Sequence, residues 1–124
     1  MWILIQVALG GAAGSVLRYL TTRTLTGALG PGFPFGTLAV NLLGCLAMGA
    51  GHALLVRRGD GHLAPFVLTG ILGGFTTFSA FSLDTMLLVE RGRAGLALAY
   101  AGGSVLLGLA AFLVGQFLVV GRVQ

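Results

Sequence analysis

The sequence predicts an all-α integral membrane protein with four transmembrane helices, the third of them broken at mid-membrane. Three observations carry that reading. Of 124 residues, 56% are hydrophobic and 8% charged, and the mean hydropathy is +1.01, a make-up that does not describe an ordinary soluble domain. The apolar residues fall into four runs, each close to or above the roughly 20 residues that a helix rising ~1.5 Å per residue needs to cross a bilayer. Inside the third run stands Gly73-Gly74-Phe75-Thr76-Thr77-Phe78-Ser79-Ala80-Phe81-Ser82, a cluster of glycine, hydroxyl and phenyl groups. Backbone that leaves the helical path at membrane depth persists only where protein buries it or where it lines a polar cavity, so this segment points to an ion or substrate site.

The first span covers residues 1–20. It opens at Trp2 with no basic region before it, and three more apolar runs follow, so it reads as a retained helix rather than a cleaved signal. Residues 21–36, with Gly30-Pro31-Gly32-Phe33-Pro34, form the first connection. The second span runs over 37–56 and the charged turn over 57–62 follows it. The third run, 63–89, divides into 63–72 and 78–89, each half too short to cross alone. A turn at 90–95 leads to the fourth span, 96–120. With no linker in the chain, residues 1–124 are expected to form one membrane domain.

Charge sets expectations about orientation. All seven cations are arginine and the acids are Asp60, Asp84 and Glu90, giving a sequence pI near 10.7. The arginines sit singly or in pairs at the ends of apolar runs and form no basic stripe, which argues for membrane-end anchoring and against nucleic acid. Arg57, Arg58 and Arg122 fall on one face, and Arg23, Arg91 and Arg93 on the other, with Arg18 about a turn inside the first span. Balanced faces give insertion no preferred direction, so copies inserted both ways and paired as an antiparallel, dual-topology homodimer are expected. A single dominant arginine would instead leave the chain one-sided. Small residues four apart, at Gly10/Gly14, Gly70/Gly74 and Ser104/Gly108, let helices approach closely, either within the chain or between copies. Cys45, alone in an apolar run, reads as a small packing residue.

The polar groups inside the spans are the candidates for function. Paired glycines and β-branched threonines weaken the helix at 73–77, and carbonyls freed there need partners; a bound cation is one supply. A kinked helix whose threonines bond back to the preceding turn is the other. Past the break, Phe78, Phe81, Ser82 and Thr85 follow an i, i+3, i+4, i+7 pattern, which puts two rings and two hydroxyls on one stripe. Ring edges are positive and hydroxyls donate, so such a stripe can hold a small anion or can simply be packing. Asp84 lies beside it, and an ionised carboxylate at mid-membrane costs about 2.5–3.5 kcal/mol, so it should meet water or a partner, or be protonated. Asn41, with Thr37 a turn before and Gly44 after, offers two amide donors to the interior or acts as glue between helices. Tyr100 and Ser104 are one turn apart in the fourth span. Neutral donors predominate, which favours an anion over a cation as the permeant species.

Three segments together carry a close resemblance: Gly10-Gly11-Ala12-Ala13-Gly14-Ser15-Val16-Leu17-Arg18-Tyr19, Gly36-Thr37-Leu38-Ala39-Val40-Asn41-Leu42-Leu43-Gly44, and the run from Gly73 to Thr85. With the Tyr100, Ser104 and Gly108 pattern they touch all four spans, and the chain resembles the Fluc (CrcB-type) fluoride channel family. The resemblance implies an antiparallel dual-topology homodimer in a prokaryotic plasma membrane, with two fluoride pores and a structural, untransported sodium ion. By position, the carbonyls of Gly73 and Thr76 would hold the sodium. Phe78 and Phe81 would flank the anion edge-on, Asn41 would donate to it, and Ser79 with Ser104 would belong to a hydroxyl track; Thr37, Ser82 and Tyr100 extend the lining. Arg18 would be a vestibule arginine. Ala80 stands where the family often has threonine, and Asp84 where glutamate is common.

Other functions remain as alternatives. A proton-coupled exporter of cationic compounds needs an acid deep in the bundle, and Asp84 is the sole candidate, since the first span has none. A non-transporting scaffold would use the same polar groups as helix glue. The chain has no lysine, hence no Gly-x-x-x-x-Gly-Lys loop, and no His/Cys ligand cluster. His52 and His62 lie near span ends as interfacial residues. No enzyme is expected.

Overall fold

The computed structural model describes residues 1–121. Arg122, one of the arginines counted above, lies outside the described residues. The first two helices are α1 (Trp2–Leu29) and α2 (Phe35–Arg58). Then comes α3, π-wound over Pro65–Leu72 and continued by Gly73–Phe75, followed by α4 (Phe78–Glu90) and α5 (Ala94–Val120). A short 3-10 turn, Gly61–Leu63, precedes α3. Four stretches, Trp2–Leu29, Phe35–Arg58, Gly61–Glu90 and Ala94–Val120, are long and apolar enough to cross a membrane, and no strand occurs among the described residues.

Two helix ends and the winding of one segment differ from the sequence reading. Residues 21–29, read as connection, continue α1 to Leu29, so its 28 residues exceed a bilayer core of ~30 Å. Threonines slow a helix without stopping it. The stop comes at Gly30, whose φ of 84° only glycine adopts freely and whose N–H bonds the Thr26 carbonyl. Gly59 ends α2 in the same manner, left-handed at φ 68°, with its N–H on the Leu55 carbonyl. The first half of the third span winds as a π-helix, in which the Gly73 N–H reaches five residues back to Leu68.

Glycine contacts set the packing. The pairs Gly10/Gly14 and Gly70/Gly74 meet within the chain, along the contact of α1 with α3: a Cβ at Gly10 would lie 2.9 Å from the Gly70 Cα, and one at Gly74 2.7 Å from the Gly11 carbonyl oxygen. These stripes therefore serve intrachain packing and do not argue for a dimer. On the other side α2 lies along α5 through Gly49 and Gly115, each backed against the opposing backbone. A third cluster, Leu88, Ala97 and Tyr100 with Phe33, Leu38 and Phe81 around it, joins α4 and α5 to the connection after α1. Outward-facing Leu98, Leu106, Leu109, Leu113 and Phe117 leave α5 apolar on its exposed side, as a lipid-facing helix requires.

Candidate functional site

Between Phe75 and Phe78 the helical path stops for two residues. Thr76 (φ −78°, ψ 156°) and Thr77 (φ −152°, ψ 122°) are extended. Thr77 then starts α4 as its N-cap: its Oγ1 accepts from the Ala80 N–H at 3.2 Å, the role for which threonine is suited. Asn41 of α2 completes the arrangement from the side. Its Nδ2 donates to the Thr77 carbonyl at 3.0 Å, and its Oδ1 accepts from the Thr77 N–H at 2.8 Å. One amide thus satisfies both backbone groups of one extended residue. Its consequence reaches the neighbouring carbonyls. In a continuous helix Gly73 would receive the Thr77 N–H and Thr76 the Ala80 N–H, and both donors are directed elsewhere. A cavity of about 410 Å³ opens beside these groups, lined by Asn41, Gly73, Thr76, Thr77, Phe78, Phe81 and Ser104 with Cys45 and Val105.

A second polar group lies further along α4. Thr37 donates to the Asp84 carboxylate at 2.5 Å, linking α2 to α4. The Tyr100 hydroxyl faces this pair from α5 without closing a hydrogen bond to either. Tyr100 also continues the ring pair: Phe78 and Phe81 have centroids 5.4 Å apart, and Phe81 and Tyr100 5.4 Å. Thr37 and Asp84 line a cavity of about 180 Å³ together with Thr22, Thr26, Phe33 and Arg91. Because Thr37 is the donor to a carboxylate inside the bundle, Thr37→Val is expected to destabilise the fold by about 2 kcal/mol, a typical value for a bond to such a group. Thr37→Ser, which keeps the hydroxyl, should retain most of that stability in thermal unfolding in detergent.

Arg18 occupies a third cavity, of about 300 Å³, with Ser15, Tyr19, Thr22, Thr37, Thr77 and Ala80. Ala80, the departure noted in the sequence, therefore faces the arginine-lined cavity, where a threonine would have added a hydroxyl. Asn41, Gly73, Thr76, Phe78, Phe81 and Ser104 share one cavity, and Thr37 with Asp84 shares the next, next to Tyr100. Ser79 and Ser82 line neither. The Ser79 hydroxyl pairs with Thr77 Oγ1 at 3.3 Å, and Ser82 donates back to the Phe78 carbonyl at 3.0 Å. Thr85 likewise donates to the Phe81 carbonyl at 2.8 Å, so the hydroxyl protons of that stripe are held by its own helix. Thr77, as the partner of Asn41, and Phe33, packed on Tyr100, are the participants that sequence reasoning missed. Thr77 had a signal, a hydroxyl three residues before Ala80 at a helix start; Phe33 had none. Among the described residues no group of three His, Cys, Asp or Glu side chains gathers.

Residues 5–116 match the family described as CrcB-like protein, Camphor Resistance (CrcB). The chain is 64% identical over 118 residues to a protein of Paracoccus denitrificans (strain Pd 1222) named Fluoride-specific ion channel FluC, covering 95% of this chain and 93% of that protein. A protein of the same name from Cereibacter sphaeroides (strain ATCC 17029 / ATH 2.4.9) is 54% identical over 113 residues, covering 91% and 90%, and one from Ruegeria sp. (strain TM1040) is 53% identical, covering 90% of each. Four apolar helices and bacterial relatives of nearly equal length place the protein in the plasma membrane as a multi-pass chain. With a match across both half-segments of the third span and all three cavities, the chain belongs to the CrcB-like family.

Proposed function

We propose that the protein is a passive fluoride channel that releases the anion from the cytoplasm. One observation carries the reading: the hydroxyl of Ser104 on α5, buried at the cavity it shares with Asn41, Phe78 and Phe81, has no hydrogen-bond partner. Donors left open inside a membrane bundle are costly unless an acceptor visits them, and a small anion is such an acceptor. The rings of Phe78 and Phe81 border the cavity that Ser104 lines and can present their positive edges. Asn41 retains one amide hydrogen beyond its bond to Thr77, and Arg18 marks a separate polar mouth. The relatives' name, fluoride-specific ion channel, supports fluoride as that anion.

The working unit in this reading is an antiparallel homodimer of dual topology, broken at mid-membrane in the third span of each copy. The balance of arginines supports it, as does Phe78, 77% exposed on a single chain although it belongs to the candidate path. The Gly73 and Thr76 carbonyls, relieved of their helical donors, fit a hard monovalent cation such as sodium, and two copies would bring twice as many oxygens together. When bound, that ion supplies fixed positive charge against the carbonyl dipoles and is not transported. Ser79 and Ser82 would have to turn their hydroxyls from Thr77 and the Phe78 carbonyl to donate to the anion. A pore is sufficient for the task, because hydrogen fluoride enters as the neutral acid and ionises in a less acidic cytoplasm. An inside-negative potential of 100 mV is worth about 2.3 kcal/mol per charge, roughly fifty-fold expulsion with no other energy source.

The test is fluoride efflux from vesicles containing the purified protein, read with a fluoride electrode. Flow without a pH gradient, abolished to background by Phe81→Ala, is the expected result. Tight vesicles would sink the reading, proton-coupled exchange of a cationic compound would establish the exporter, and equal flux in the variant would remove Phe81 from the path. Labelling of cysteines placed at either terminus should find both orientations in one membrane.

A further inference from the structure

We propose that Phe33, in the connection between α1 and α2, is a positioning residue for Tyr100, so that a loop outside the helices sets part of the ion path. The proposal rests on the channel reading above and adds a residue to it. Phe33 is half-buried although it lies in a stretch of glycine and proline. Its ring meets Tyr100 edge to face, with centroids 5.6 Å apart and planes at 87°, and it also packs on Phe35 at 4.7 Å. Tyr100 also packs against Phe81, at 5.4 Å, so its ring meets one aromatic from the pore helix and one from the loop. The same Phe33 lines the cavity of Thr37 and Asp84, toward which the Tyr100 hydroxyl turns.

What holds Phe33 is equally specific. The connection between α4 and α5 reaches across to the two residues before it: Arg91 Nη1 donates to the Pro31 carbonyl at 3.4 Å, and Arg93 Nη1 to the Gly32 carbonyl at 3.0 Å. The Phe35 N–H closes a tight turn on the Phe33 carbonyl at 2.8 Å. Backbone is thus fixed on both sides of the ring. The Tyr100 hydroxyl keeps its direction through what packs its ring, and the edge-to-face contact with Phe33 is one part of that packing beside Phe81, Leu88 and Ala97.

The experiment uses the full-length protein in two readouts. In vesicles, Phe33→Leu is expected to slow fluoride efflux about fivefold, the size of one lost aromatic pair, while Phe33→Trp keeps most of the rate. In detergent, the protein labelled with 3-fluorotyrosine gives two fluorine resonances, from Tyr19 and Tyr100. Phe33→Leu should move the Tyr100 signal and leave that of Tyr19, which is 62% exposed, in place. An unchanged efflux rate, an unmoved Tyr100 signal, or equal slowing by leucine and tryptophan each overturns the proposal. Should Phe33→Leu not fold, the double change Arg91→Gln with Arg93→Gln removes both ties with Phe33 present and carries the same two expectations. If the wild-type vesicles are tight, the channel reading falls by itself, and the Tyr100 resonance still decides whether Phe33 positions that ring.

Discussion

Asn41→Ala is expected to reduce fluoride efflux to the level of empty vesicles and to lower stability by about 2–6 kcal/mol, since it strips two backbone groups of their partner at about 1–3 kcal/mol each. The Asn41 amide both donates to the Thr77 carbonyl and accepts from the Thr77 N–H, and no other side chain reaches them among the described residues. In a bundle from which water is largely excluded, the chain has one local escape. It can re-form helix across the gap, returning the Thr77 N–H to Gly73 and the Ala80 N–H to Thr76. That would occupy the carbonyls proposed to hold a cation and rotate Phe78 and Phe81 away from their cavity. Asn41→Asp separates the two roles: it keeps the acceptor but sets an oxygen against the Thr77 carbonyl, so it should be impaired nearly as much as alanine. Efflux by electrode and unfolding in detergent measure the two effects on one sample, and wild-type flux in Asn41→Ala would refute the role assigned to the bridge.

Gly49→Ala carries the second large effect, through packing alone. A Cβ on Gly49 would overlap the Phe112 carbonyl oxygen and stand 3.0 Å from the Gln116 nitrogen; one on Gly115 would overlap the Leu46 carbonyl oxygen and stand 3.0 Å from the Ala50 nitrogen. The obstacle in each case is backbone, which cannot swing aside as a side chain can. Helices α2 and α5 must part, and the whole crossing loses contact for the sake of one methyl group. Destabilisation of about 3 kcal/mol or more is expected, at the upper end of overpacking in close-packed interiors. Gly102→Ala, on the open side of α5 where a Cβ meets nothing within 4 Å, is the matched control. Heating the two variants side by side in detergent decides the point: equal melting temperatures would show that the crossing is loose.

The spans were legible because hydropathy is a summed property that no single neighbour reverses. Their ends were less so. Thr21, Thr22, Thr24 and Thr26 look like a connection and instead complete α1, because glycine and proline at 30 and 31, not threonine, terminate it. Asn41 could be read as inward from the cost of exposing an amide to lipid, whereas its partner could not, since any backbone group thirty-odd residues away is equally plausible from sequence. Ser82 and Thr85 show the opposite limit. Their spacing was chemically suggestive, but a hydroxyl in a helix always has the carbonyl one turn back within reach, and both took it. Phe33 was hidden for a plain reason: flanked by Gly32 and Pro34, it carries the local signature of a turn, and only the folded chain brings it to Tyr100.

The ties from Arg91 and Arg93 to the first connection bear on how such a chain enters a membrane. Positive residues are commonly treated as address labels that can be edited freely to bias which way a protein faces. Here these two are also fasteners, as is Arg57 through the Val119 and Val120 carbonyls, so deleting any of them would alter the address and loosen the architecture together. Arg23 and Arg58, exposed and without comparable bonds among the described residues, are the sites where facing direction can be rewritten with the scaffold left alone.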